Sequence, residues 1–152
     1  MGCVTLSSLD RFPVMGSIGL PIPSKQIKVV DPDTLEEIPA NKVGELLVTS
    51  EYGTKSYWNK PEETSECFVK MNGRIWNLTK DYVQIDENGL LNYVDRSADI
   101  VKYKGYRVSC SEVEAVLQDL KVVKEACVIG VPDPAVGELI KAIVVLKENT
   151  RG

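Results

Sequence analysis

Histidine is absent from this chain of 152 residues, and aromatic residues make up only 7% of it. Without an imidazole the chain cannot form a Ser-His-Asp or Cys-His nucleophile system, and it lacks the most common protein ligand of zinc. The four cysteines, Cys3, Cys67, Cys110 and Cys127, show no Cys-X-X-Cys spacing. We therefore expect no metal site in this chain, and we interpret the cysteines as reduced thiols that pack as small buried side chains in a cytosolic protein.

Long apolar stretches and an excess of basic charge are also missing. No run approaches the roughly 20 apolar residues of a membrane-spanning helix, and the first residues show no signal-peptide pattern, so we expect a cytoplasmic protein without a membrane span. The net charge is −4, from 18 basic and 22 acidic residues, which disfavours a nucleic-acid partner. An apolar content of 43% is sufficient for a hydrophobic core.

The first part of the chain, to about residue 94, predicts a β-rich lobe. Four runs in it alternate or are apolar throughout, which is typical of strands: residues 26–30, 46–48, 82–85 and 90–94. The sequence Asp86-Glu87-Asn88-Gly89 between the last two runs predicts a hairpin. Pro61 suits the first position of a short helix, which we expect Gly73 to end.

The second part predicts a mixed α+β lobe. Lys104-Gly105 joins the runs 100–103 and 106–108 as a second hairpin. Ser109 and Glu112 form a capping box for a helix. Its apolar stripe is predicted at Val113, Val116, Leu117 and Leu120, and two mostly apolar strands follow at 122–131 and 139–146. We predict the boundary between the lobes at residues 95–99.

Nine short motifs are more specific than these local patterns. In order, they are Gly16-Ser17-Ile18-Gly19-Leu20-Pro21, Gly44-Glu45-Leu46, Tyr57-Trp58-Asn59-Lys60-Pro61-Glu62-Glu63-Thr64, Leu78-Thr79-Lys80-Asp81, Asp86-Glu87-Asn88-Gly89, the stretch from Asp95 to Val108, Glu112-Val113-Glu114, Gly130-Val131-Pro132-Asp133 and Gly137-Glu138. In this order and spacing the chain resembles the adenylate-forming superfamily of acyl-CoA synthetases, coumarate-CoA ligases, firefly luciferase and peptide-synthetase adenylation domains. The resemblance covers residues 16–147, and residues 100–108 are most similar to acyl-CoA synthetases.

The resemblance implies a fold and a place within a larger enzyme. Residues 1–96 match the β-barrel-like subdomain that ends the family's large N-terminal domain, and residues 97–152 match part of its small, mobile α+β C-terminal lobe. The hinge lies near residues 95–99, with Ala98 at the hinge position. The family's phosphate-binding loop, acyl pocket and C-terminal catalytic lysine have no counterpart in this sequence. We therefore expect a fragment that contains no catalytic residue and is inactive alone.

The resemblance also implies a reaction and residue roles. Such ligases use ATP, with Mg²⁺ bound outside the region matched here, to convert a carboxylic acid to an acyl-AMP, from which CoA displaces AMP; fatty acid metabolism is the expected setting. Asp81 and Arg96 match the residues that bind the ribose, and Lys102 and Arg107 match residues that face the nucleotide or its phosphates. Lys104 and Gly105 match the pantetheine path. Without the resemblance, Asp81 is a turn carboxylate, the basic residues are a solvated face, and Gly105 is a hairpin glycine.

Three positions depart from the family pattern. Lys80 stands where glycine is usual, Ala98 where a charged hinge residue is usual, and Cys110 where proline is usual. Two alternatives stay open: a relative that forms acyl-AMP without using CoA, and a non-catalytic binding module. The carboxylic acid is not specified by this sequence, because the acyl pocket of the family lies in the upstream region.

Overall fold

The computed structural model describes residues 3–7 and 14–147. The chain divides into two compact units, residues 1–94 and 95–152. Each unit is built around its own antiparallel sheet. The α+β class expected from the sequence is confirmed.

The first unit is a curled seven-stranded sheet with one short helix. Its elements are β1 (Thr5–Leu6), β2 (Ser17–Pro21), β3 (Gln26–Val30), β4 (Val43–Thr49), α1 (Pro61–Cys67), β5 (Phe68–Met71), β6 (Arg74–Ile85) and β7 (Leu91–Arg96), of which the last two residues of β7 belong to the second unit. The strand order is β1-β2-β7-β6-β4-β3, and β5 pairs with β6. The predicted strands at 26–30, 46–48, 82–85 and 90–94 are confirmed, although β6 begins well before residue 82.

Strand β4 lies between β3 and β6 and is buried on both faces. Leu46 and Val48 pack on one side with Val83 and Leu91. Leu47 points to the other side and packs with Val30 and Trp76. Burial on both faces explains why residues 46–48 are a continuous apolar run rather than an alternating one.

The helix after Pro61 is shorter than expected. It ends at Cys67, and the chain continues directly into β5. The expectation that Gly73 ends the helix is wrong, because Asn72 and Gly73 form the two-residue turn between β5 and β6, with φ of +49° and +76°. Two successive positive φ angles are typical of a hairpin turn. The residues next to Gly73 do not by themselves distinguish such a turn from the end of a helix.

The predicted hairpin at residues 86–89 is confirmed. The Asp86 carboxylate accepts hydrogen bonds from the backbone N–H groups of Asn88 (2.8 Å) and Leu90 (2.9 Å). Gly89 has φ of +78°, so glycine provides the left-handed conformation that this turn needs.

The second unit contains a four-stranded sheet and one helix. A turn of 3-10 helix at Ser97–Asp99 leads into β8 (Ile100–Tyr103), β9 (Tyr106–Ser109), α2 (Cys110–Gln118), β10 (Val123–Asp133) and β11 (Gly137–Leu146). The sheet order is β10-β11-β8-β9. The second hairpin, the helix and the two long strands predicted from the sequence are confirmed.

Helix α2 begins as the sequence predicts, and the Ser109 side chain accepts the N–H of Glu112 at 3.1 Å. The predicted apolar stripe is correct only in part. Val113 and Leu117 pack against the core of Val101, Cys110 and Val128, whereas Val116 and Leu120 are 69% and 51% exposed. The helix ends at Gln118, so Leu120 lies beyond it.

The cysteines form no disulfide, and all four lie within the described ranges. The expectation that each is a buried apolar side chain holds for Cys110 alone, because Cys3 and Cys127 are exposed and Cys67 is half-buried. Cys110 is the first residue of α2, and its side chain packs in the core with Val101 and Val128. Burial raises the pKa of the Cys110 thiol, and the nearby carboxylate of Asp95 adds to the effect.

Candidate functional site

Asp81 lies in an irregular stretch of β6. Glu45 of β4 pairs with Tyr82 of β6, and Leu47 pairs with Leu78, so residues 79–81 oppose Leu46 alone. The extra residues form a bulge, in which Lys80 has φ of +61°. The left-handed conformation at Lys80 explains why glycine suits this position in the family pattern.

Side chains hold the backbone of this bulge. The Thr79 hydroxyl donates to the Leu46 carbonyl at 2.8 Å and accepts the Asp81 N–H at 3.2 Å. The Lys80 N–H donates to Glu45 Oε1 at 3.0 Å. Amide groups that the bulge removes from the strand ladder are therefore satisfied, and the half-buried Asp81 is held in a fixed position.

Glu45 belongs to the Gly44-Glu45-Leu46 motif, but the sequence does not predict it as a site residue. Its side chain is buried, and burial raises its pKa; the Lys80 N–H and ammonium group oppose that shift, and the Asp81 carboxylate adds to it. The preceding residue, Gly44, allows close packing, because a Cβ there would lie 2.5 Å from both Ile38 Cδ1 and the Val30 carbonyl oxygen.

Three of the basic residues predicted from the stretch Asp95 to Val108 lie in one hairpin: Lys102, Lys104 and Arg107. Lys102 and Arg107 are directly opposite each other on β8 and β9, while their neighbours Val101 and Val108 form the next pair. Paired residues project from the same face of a sheet, so the side chains of Lys102 and Arg107 share one face and place two positive charges together. Val101 points to the opposite face and is buried under α2.

Lys104 and Gly105 form the turn of that hairpin, with φ of +48° and +81°. A Cβ built on Gly105 would meet no atom within 4 Å, so the space beside this glycine is open. The Lys104 ammonium lies 5.4 Å from the centre of the Tyr103 ring. The turn therefore presents uncovered backbone next to a positive charge.

The loop between β10 and β11 supports this hairpin. The Lys104 N–H donates to the Val136 carbonyl at 2.8 Å, and the Lys102 N–H donates to Glu138 Oε2 at 2.7 Å. A Cβ at Gly137 would lie 2.9 Å from the Lys102 carbonyl oxygen, so glycine permits the close approach. The sequence does not predict Glu138 as a site residue either; its only signal is its place in the Gly137-Glu138 motif.

The predicted hinge segment is exposed from residue 96 to 99 and includes Arg96 and Ala98. Asp95, immediately before it, is buried. The Asp95 carboxylate accepts hydrogen bonds from Ser109 Oγ (2.7 Å) and Ser111 Oγ (2.9 Å), so the start of α2 is bonded to the residue before this segment.

The structure therefore groups the predicted residues by unit. Lys102, Lys104, Gly105 and Arg107 belong to one hairpin of the second unit, and Asp81 lies in the bulge of the first unit. A cavity of about 250 Å³ in the first unit, lined by residues such as Lys25, Tyr57 and Phe68, includes none of them.

Two further findings concern metals and membranes. Among residues 3–7 and 14–147, no three or more His, Cys, Asp or Glu side chains are grouped so that they could hold a metal ion. In the same part of the chain, the helices are too short or too polar to cross a bilayer.

Comparison with known proteins connects both units to one family. The model of the AMP-binding enzyme family matches residues 1–58, and that of the AMP-binding enzyme C-terminal domain matches residues 112–152. The 4-coumarate--CoA ligase-like 9 of Oryza sativa subsp. japonica is 41% identical over 133 residues, which are 88% of this chain and 23% of the relative. The long-chain-fatty-acid--CoA ligase of Bacillus subtilis (strain 168) is 39% identical over 90% of this chain and 24% of the relative.

A solved structure gives the same result. The crystal structure of ATP-bound MatB from Rhodopseudomonas palustris superimposes with a TM-score of 0.78 at 31% identity, covering 97% of this chain and 29% of that protein. The chain thus spans about a quarter of the length of the relatives it matches. The motifs, both family models and the fold agree, and the chain belongs to the adenylate-forming superfamily of AMP-binding enzymes.

Proposed function

We propose that this chain forms the barrel-like subdomain, the hinge and part of the C-terminal lobe of an ATP-dependent acyl-CoA synthetase. The reaction joins a carboxylic acid to CoA through an acyl-AMP intermediate, with release of pyrophosphate and then AMP. In this proposal residues 1–96 and 97–152 are the two functional parts, and the chain alone does not catalyse the reaction. Family membership supports the ligase class, and the chain's own residues support the roles below.

The observation that carries the proposal is the bulge at residues 79–81. It holds Asp81 in the family's ribose-binding motif with a fixed backbone, supported by Thr79 and Glu45. A carboxylate has enough acceptor sites to bind both ribose hydroxyls at once. Asp81 therefore orients the nucleotide, and orientation is a large part of what an enzyme contributes to a reaction between two anions.

The second unit supplies positive charge and open backbone. Arg96 binds ribose or phosphate oxygens through its planar guanidinium group. The paired Lys102 and Arg107 neutralise phosphate charge as the carboxylate attacks. Lys104 and the open space beside Gly105 suit the narrow pantetheine arm of CoA, which can pass close to backbone without a side chain.

A chimaera tests the proposal: this chain replaces the matching segment of a full-length relative. We expect ATP-pyrophosphate exchange and thioester formation from the parent chimaera. Asp81→Ala should raise KM for ATP by roughly 30-fold, which corresponds to about 2 kcal/mol for a lost charged hydrogen-bond acceptor. It should also abolish the preference for ATP over 2′-deoxy-ATP. Asp33→Ala, at an exposed turn of the same unit, is the matched control and should change neither.

The two alternatives give different results. Acyl-AMP formation without thioester would identify a relative that does not use CoA. Binding of the isolated chain to RNA or DNA at physiological salt would favour a binding module instead. If Asp81→Ala leaves both KM for ATP and the deoxy-ATP preference unchanged, Asp81 does not bind the ribose.

A further inference from the structure

The backbone at Lys80 needs outside support. Lys80 has φ of +61°, a conformation that side chains other than glycine rarely adopt. It lies within a stretch that has lost its regular pairing with β4. A residue in such a conformation persists only when its surroundings hold it there.

Glu45 provides this support from the neighbouring strand. Its Oε1 atom is 3.0 Å from the Lys80 nitrogen, and its own backbone pairs with Tyr82. Glu45 as a residue is only 6% exposed, so water does not compete strongly for the carboxylate. The Lys80 side chain points elsewhere, because its ammonium lies 3.9 Å from Glu66 Oε2. The contact between Glu45 and Lys80 is therefore made through the backbone.

We propose that Glu45 is a positioning residue: by accepting the Lys80 N–H, it holds the bulge in the conformation that presents Asp81. The bulge part of this inference stands on its own, and its consequence for ribose binding rests on the proposed function. Thr79 is the second support, since it binds the Leu46 carbonyl and the Asp81 N–H. Glu45 and Thr79 together satisfy the amides of both residues that follow Thr79.

Amide hydrogen exchange of the ¹⁵N-labelled chain tests the support directly. In Glu45→Ala we expect the Lys80 and Asp81 amides to exchange about tenfold faster or more, because local opening becomes easier. Glu45→Gln retains an acceptor oxygen and should exchange like the wild type. Adding Lys80→Gly to Glu45→Ala should restore slow exchange at Asp81, because glycine adopts positive φ without support.

Glu66→Ala is the matched control. It removes the carboxylate near the Lys80 ammonium and leaves the Lys80 N–H contact in place, so both amides should exchange as in the wild type. Equal acceleration by Glu66→Ala and Glu45→Ala would overturn the inference, as would unchanged exchange in Glu45→Ala.

A pH titration of the wild-type chain gives a second test that requires no destabilised variant. Burial raises the pKa of Glu45, the Lys80 N–H and ammonium group oppose the shift, and the Asp81 carboxylate adds to it. The Lys80 amide proton should therefore report a titration of Glu45 whose midpoint lies above the ordinary glutamate pKa. This titration should disappear in Glu45→Gln. A Lys80 amide that does not follow the Glu45 titration would refute the hydrogen bond.

Addition of AMP at millimolar concentration separates this inference from the proposed function. If the ribose binds Asp81, AMP should shift the Asp81 amide in the wild type and in Glu45→Gln, and shift it less in Glu45→Ala. An Asp81 amide that never responds to AMP would contradict the proposed function, and the exchange data would still decide the role of Glu45. An equal AMP response in Glu45→Ala and the wild type would overturn the positioning role.

Discussion

Replacement of Asp95 by alanine should weaken the second unit at the start of α2. Asp95 is 5% exposed, and its carboxylate accepts hydrogen bonds from Ser109 Oγ, Ser111 Oγ, and the N–H groups of Ser111 and Arg96, at 2.7 to 3.3 Å. Ser109 also accepts the Glu112 N–H as the helix cap. Asp95→Ala therefore removes the acceptor that orients the capping hydroxyl.

The expected loss follows from the number of donors left unsatisfied. A hydrogen bond to a charged group contributes about 1.5 to 3 kcal/mol, and neighbouring bonds are not additive. We expect Asp95→Ala to lower the free energy of opening of α2 by about 3 kcal/mol. Asp95→Asn keeps the shape and one acceptor oxygen and should cost about 1 to 2 kcal/mol, because its amide group faces donors.

The loss should depend on pH in a defined direction. Burial raises the pKa of Asp95, but the hydrogen bonds from Ser109, Ser111 and Arg96 outweigh burial and hold it below its ordinary value. A carboxyl with a lower pKa in the folded state stabilises that state fully above the unfolded pKa, and the contribution disappears as pH falls through the folded pKa. The difference in the free energy of opening of α2 between the wild type and Asp95→Asn should therefore be constant near neutral pH and become smaller below about pH 4.

Hydrogen exchange of α2 amides such as that of Glu112 is the suitable assay. Trp58 and Trp76 both lie in the first unit, so tryptophan fluorescence does not report on the second. A loss below about 1 kcal/mol in Asp95→Ala would refute the account of the network. A difference between wild type and Asp95→Asn that stays constant from pH 7 to pH 3 would refute the role of the ionised carboxylate.

Two further predictions concern the hairpin and the hinge segment. In the chimaera, Gly105→Leu should preserve acyl-AMP formation and reduce thioester formation by several orders of magnitude; its φ of +81° adds about 1 kcal/mol of strain, so folding is checked by circular dichroism. Equal loss of both half-reactions in a folded protein would make the hairpin purely structural. Limited proteolysis of the chain should cut first within the exposed residues 96–99, with trypsin cleaving after Arg96, and resistance there would contradict a mobile hinge.

The elements that the sequence predicted well are those specified by neighbouring residues. The turn at Lys104-Gly105, the turn before Leu90 and the capping box at Ser109 each depend on residues within a few positions of one another. The prediction that Gly73 ends the helix was wrong, because a glycine with positive φ can either end a helix or form part of a hairpin turn. Which of the two forms depends on the pairing of β5 with β6.

The bulge at residues 79–81 could not be predicted from its own sequence. Its existence depends on the register of β6 against β4, and Glu45 lies 35 residues before Lys80. The unusual lysine in the Thr79-Lys80-Asp81 motif indicated a departure from the family pattern. The structural effect of this lysine is shown only by the φ angle of Lys80 and by the Glu45 carboxylate, which accepts the Lys80 N–H.

Three acidic residues within the motifs have a common structural use that their chemistry alone does not suggest. Glu45 accepts the N–H of Lys80, Glu138 accepts that of Lys102, and Asp95 accepts that of Ser111. In each pair the acid and the amide are at least 16 positions apart in sequence. The bonds of Glu45 and Glu138 each join two motifs, and the bond of Asp95 joins its motif to the start of α2. Glu138 in this way holds the strand that carries Lys102, one of the basic residues that we propose to bind phosphate.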